Sequence, residues 1–81
     1  MRAQVVVTLK KEVLDPQGKA IGQAAASLGY DAVRDVRQGK IFEIEVDAPD
    51  RGTAERVVDE LAEKLLSNPV IETYRILDIT P

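Results

Sequence analysis

The 81 residues leave room for one domain with a modest core, and 14 acidic against 11 basic side chains give a net charge of −3. Cysteine and histidine are both absent, which removes disulfides, thiolate metal sites and the commonest general base and metal ligand. The charges are interspersed and aromatics make up 4% of the chain, so neither the basic stripe nor the stacking platform of a nucleic-acid binder is present.

The chain runs from Met1-Arg2 straight into an alternating pattern, without the charged and apolar regions of a signal peptide. Residues 3–10 place Val5, Val7 and Leu9 on one face and predict a strand. Leu14-Asp15-Pro16 opens a helix, with Asp15 suited to cap the free N–H groups, Pro16 suited to the first helical position and Gly18 following. Ala20, Ile21, Ala24, Ala25 and Leu28 recur at helical spacing, and Gly29 stops the helix. The apolar stripe is largely alanine, so this helix can lie close against whatever it covers.

Residues 32–38 read as a weaker strand, because Val33 and Val36 break strict alternation. Gln38-Gly39-Lys40 is placed as a hairpin turn into a strand over 41–47, with Phe42, Ile44 and Val46 on one face and Glu43, Glu45 and Asp47 on the other. After Ala48-Pro49, Asp50 or Thr53 starts a second helix carried by Ala54, Val57, Val58, Leu61, Leu65 and Leu66. Asn68-Pro69 ends it, and Val70 to Ile79 form the last strand. The order β-α-β-β-α-β predicts an α+β, ferredoxin-like domain over 1–81, with a four-stranded antiparallel sheet and two helices on one face.

In a monomer the other sheet face should be polar. Val6, Leu77 and Ile79 fall opposite the expected core residues, which points to self-association as a dimer or tetramer through them, a usual route to stability for so short a chain. No constellation carries chemistry. Glu43, Glu45 and Asp47 read as a solvated stripe paired with first-strand lysines rather than a Mg²⁺ site. Ser27 and Ser67 have no histidine to activate them, and Gly18 and Gly22 make no phosphate-loop fingerprint. Lys10, Lys11, Gln17, Arg37 and Lys40 have no evident role in the core and are assigned to partner docking.

The string Leu9-Lys10-Lys11-Glu12-Val13-Leu14-Asp15-Pro16-Gln17-Gly18-Lys19-Ala20 is the most distinctive in the chain. With Leu28-Gly29-Tyr30, Val36-Arg37-Gln38-Gly39-Lys40 and Leu65-Leu66-Ser67-Asn68-Pro69-Val70-Ile71-Glu72, it resembles the signature of the PurS family. These are the small subunits of bacterial and archaeal phosphoribosylformylglycinamidine synthase. The resemblance implies a cytoplasmic, non-catalytic adaptor that joins a large synthetase subunit, PurL, to a glutaminase subunit, PurQ. The complex converts formylglycinamide ribonucleotide, glutamine and ATP to formylglycinamidine ribonucleotide. By the same resemblance ATP and Mg²⁺ belong to the synthetase, with no cofactor in this chain, while the interspersed charge and the lack of a long apolar run argue against a nucleic-acid or membrane partner. The competing reading is an ACT-like regulatory dimer that binds an amino acid between its subunits.

Overall fold

The computed structural model describes residues 1–81. Strand β1 (Arg2–Leu9) is followed by helix α1 (Pro16–Ser27), strand β2 (Gly39–Glu45), helix α2 (Arg51–Leu61) and strand β3 (Glu72–Thr80). The last turn of α2 widens into a π turn over Ala62–Leu66, closed where the Ser67 amide and hydroxyl both donate to the Ala62 carbonyl.

The sheet has three strands, not four, in the antiparallel order β2-β1-β3. The strand predicted over 32–38 does not form. Its backbone groups are engaged outside a ladder instead: Val33 N–H donates to the nearby Tyr30 O, and Gln38 N–H donates to the sequence-distant Asp15 carboxylate. Nor is Gln38-Gly39-Lys40 a hairpin turn. Gly39 already lies in the ladder opposite Thr8, and a Cβ there would meet Val7 O at 2.6 Å. Close approach to the central strand therefore demands glycine at this position.

Alternation along β1 decides the core. Ala3, Val5 and Val7 are buried together with Val46, Ile79 and the α2 residues Ala54, Val58 and Ala62. The three α2 residues recur every four positions and form one stripe. Two of them are alanines, so the helix axis comes close to the sheet. Val57 and Leu65, expected in that stripe, are exposed.

The last strand explains its own mixed pattern. Gln4 pairs with Asp78 and Val5 with Ile76, so Leu77 is the extra residue of a β-bulge. The bulge resets the alternation and turns Ile79 inward, where it is 3% exposed opposite Ala3. Ile79 is thus a core residue, which corrects its assignment to a self-association face. Leu77 remains exposed and Val6 half-buried, the latter flanked across the ladder by Ile41 and Arg75.

The second departure from expectation is α1. It makes no substantial contact with the sheet or with α2. Together with the return segment 28–38 it projects from the end of the sheet as an arm, and the molecule extends 50 × 26 × 14 Å. The Cα radius of gyration is 15.9 Å, against about 12 Å for a compact chain of this length. Only one of the two helices therefore covers the sheet.

Candidate functional site

The base of the arm is the most highly organised polar region of the molecule. Asp15 caps α1, its Oδ1 accepting the Gly18 amide at 2.9 Å, and Pro16 occupies the first turn. Its second oxygen, Oδ2, accepts the Gln38 amide at 2.6 Å. One carboxylate thus ties the start of the helix to the end of the return segment, and it is 5% exposed. Hydrogen bonds from the Gly18 and Gln38 amides, aided by the nearby Arg37 guanidinium, hold its pKa below the ordinary 3.8 against the opposing effect of burial.

Arg37 closes the same junction from the other side. Its guanidinium donates to the carbonyls of Lys10 and Val13, both at 2.9 Å. These two carbonyls belong to the tight connection after β1, where Val13 N–H also donates to Lys10 O. Arg37 is therefore a clamp on the backbone as well as a surface cation. Gly18 permits the closure: a Cβ there would collide with Val36 O and stand 2.7 Å from Asp15 Oδ2.

Beside this junction runs a groove lined by Val7, Leu9, Pro16, Gln17, Lys40 and Glu72. Two of the docking candidates, Gln17 and Lys40, meet here. Lys40 pairs with Glu72 at 3.7 Å, and the Glu72 carboxylate, whose side chain is 13% exposed, also accepts the Asn68 amide. Lys10 instead lines a second groove with Glu63, Ser67, Pro69 and Tyr74. Lys11 is exposed in the connection itself. The structure gathers the segments 10–18 and 37–40 at one end of the molecule, with their lysines on different sides of it.

Sequence reasoning missed the Arg37 clamp and the second bond of Asp15. The available signal was Gly18, since glycine in a first helical turn marks close approach of another backbone. The acidic row is exposed at Glu43, Glu45 and Asp47, and the first-strand cation facing it is Arg2, 3.4 Å from Glu45, rather than a lysine.

A family model described as PurS, phosphoribosylformylglycinamidine (FGAM) synthase, matches residues 2–78. The chain belongs to the PurS family. The PurS subunit of Bacillus subtilis is 47% identical over 74 residues, covering 91% of this chain and 87% of that one. The solved PurS of Thermus thermophilus superposes with a TM-score of 0.85 at 36% identity, over 99% of this chain and 96% of the other. A chain from the structure of PurLQS from Thermotoga maritima gives a TM-score of 0.84 at 28% identity, over 98% and 99% of the two chains. The ACT-like reading is not favoured by these likenesses.

Proposed function

We propose that the chain is the non-catalytic adaptor of phosphoribosylformylglycinamidine synthase in de novo purine biosynthesis, self-associated and bound to a PurL synthetase and a PurQ glutaminase in the cytoplasm. The observation that carries this reading is the likeness, along nearly its whole length, to a chain of a PurLQS structure. In the proposed assembly ATP and Mg²⁺ are bound by the synthetase. Ammonia released by the glutaminase is small, neutral and easily lost, so its donor and acceptor sites must be fixed together and shielded from water.

An adaptor does this by shape, and the arm base is suited to the task. Its backbone is held by Asp15 and Arg37 before any partner arrives, so little further ordering is required on docking. Gln17 and Lys40 at the groove, with Lys10 and Lys11 on the connection, present the polar contacts. Arg37 supports that surface from beneath.

The test is capture of the tagged chain's partners from an extract of its own organism, with ATP and glutamine present and the captured proteins identified by mass. The expected result is a large synthetase together with a glutaminase. Recovery of neither, with the tagged chain folded, overturns the reading.

A further inference from the structure

At the arm end of the sheet the inward face changes character. Leu9 continues the inward row of Ala3, Val5 and Val7, yet it is only half-buried and lies outside the core cluster. The register places Lys40 opposite Val7 on one flank of β1 and Glu72 opposite Leu9 on the other. Directly opposed residues share a face, so both charged side chains stand on the side of the sheet that is otherwise largely apolar. With Pro16 and Gln17 of α1 they enclose a groove of about 290 Å³.

The two charges are unequally satisfied. Glu72 accepts the Asn68 amide at 2.7 Å through one oxygen. Its other oxygen is 3.7 Å from Lys40 Nζ, beyond the ~2.7–2.9 Å of an ammonium–carboxylate hydrogen bond. The Lys40 side chain is 63% exposed at the rim, and its ammonium keeps its donors for an incoming acceptor. The surroundings favour an anionic one. Residues 10–40 hold six cations against four acids, a net +2, whereas the other residues together carry −5 within the total of −3. One of those four acids, Asp15, is already taken up by the Gly18 and Gln38 amides.

Size narrows the occupant further. The groove falls at the lower bound of small-molecule pockets, ~300 Å³, and has room for a seated side chain. Such a contact buries far less than the ~800 Å² per partner of a stable interface, so it does not hold a second copy of this chain by itself. It suits a secondary grip on a protein already docked, and its frame is fixed beforehand by Asp15 and Arg37. We infer that the groove receives a short segment of a partner enzyme that joins an apolar residue to a carboxylate. The apolar side chain rests on Leu9 and Pro16, and the carboxylate pairs with Lys40.

This inference rests on the adaptor reading above and adds where, and by what chemistry, the enzyme is gripped. The lack of native cysteine permits a direct test. Gln17→Cys, carrying a short photoactivatable maleimide, is assembled with the synthetase and glutaminase of the same organism in ATP and glutamine, illuminated, and its adducts are identified by peptide mass. The expected adduct is an enzyme peptide in which an apolar residue neighbours Asp or Glu. In parallel, assembly affinity is measured for the unmodified chain, for Lys40→Gln and for Lys64→Gln, an exposed cation of the π turn, with thermal melts showing each variant folded at the assay temperature. Lys40→Gln is expected to bind several-fold more weakly, by a margin that shrinks as salt is raised, and Lys64→Gln to bind as the unmodified chain does. An adduct to a second copy of this chain, or to an enzyme peptide without a carboxylate, overturns the inference. So does assembly of the labelled chain without any adduct, or an unchanged affinity in Lys40→Gln. Each of these leaves the adaptor reading intact, whereas failure of the unmodified chain to assemble with either enzyme removes both.

Discussion

Asp15 and Gln38 are joined directly, although they stand 23 positions apart in the sequence with all of α1 between them. The Asp15 carboxylate serves the helix start through Gly18 and the return segment through Gln38. Asp50 makes a simpler cap, accepting the Thr53 amide at 2.7 Å at the start of α2. Replacement of Asp15 by Ala is therefore expected to lower the thermal midpoint more than replacement of Asp50 by Ala. Equal losses in the two variants would mean that the Gln38 bond contributes nothing.

The same two carboxylates set the acid limb. Each is held below its ordinary 3.8, Asp15 chiefly by the Gly18 amide and Asp50 by the Thr53 amide. A depressed folded pKa favours the charged form in the native state. Its contribution is complete above 3.8 and is lost as pH falls through the lower folded value. Thermal midpoints should decline less steeply between pH 3.8 and about pH 2 in Asp15→Asn than in the unmodified chain. Parallel curves would contradict this.

Gly18 and Gly22 should respond in opposite directions to alanine. A Cβ at position 18 strikes Val36 O, which belongs to fixed backbone, whereas one at position 22 meets only Val36 Cγ2 at 3.9 Å. Gly22→Ala is expected to stabilise by about 0.5–1 kcal/mol, the usual gain inside a helix. Gly18→Ala should destabilise in spite of the same gain in propensity. Circular dichroism melts of the two variants decide the matter.

Tyr74 donates to Asp59 at 2.6 Å, and this bond, with burial and the charges of Asp59 and Glu63, raises its pKa from 10.0 to about 12. The neutral phenol is the form the folded state prefers. Its contribution is present below pH 10.0 and lost as pH rises through about 12. In a Tyr30→Phe chain the remaining tyrosine should ionise near 12 by ultraviolet absorbance, and Asp59→Asn should bring that value down. Ionisation near 10 in the parent would show that the bond does not hold in solution.

The order of strands and helices was legible where one physical signal dominated. β1 followed from its alternation and the first helix start from Asp15-Pro16, while of the two candidates for the second start, Asp50 and Thr53, Asp50 is the cap. The parity of β3 was not legible, because a bulge at Leu77 leaves no mark in the hydrophobic pattern beyond an apparent contradiction between Ile76 and Ile79. The absent strand at 32–38 depended on side-chain partners far away in sequence, and no local pattern encodes them. An alanine stripe shows that a helix has an apolar face, but not whether the covering surface belongs to the same chain.

The basic residues at the arm base now separate into two kinds. Lys11→Glu should change stability by no more than about 0.5 kcal/mol, as exposed positions usually do, while weakening assembly with the synthetase and glutaminase. Lys40→Glu places a second carboxylate beside the largely buried Glu72 and should lower the thermal midpoint as well, with Lys40→Gln milder. Wild-type assembly by all three variants, measured by co-purification, would move the docking surface elsewhere on the molecule.

The most direct test of the adaptor role is steady-state formation of formylglycinamidine ribonucleotide by purified synthetase and glutaminase from the same organism, with and without this chain. Rates are measured with glutamine and, separately, with ammonium as nitrogen donor. Adding the chain is expected to restore the glutamine-dependent rate and to change the ammonia-dependent rate far less. Equal glutamine-dependent rates with and without the chain would contradict it.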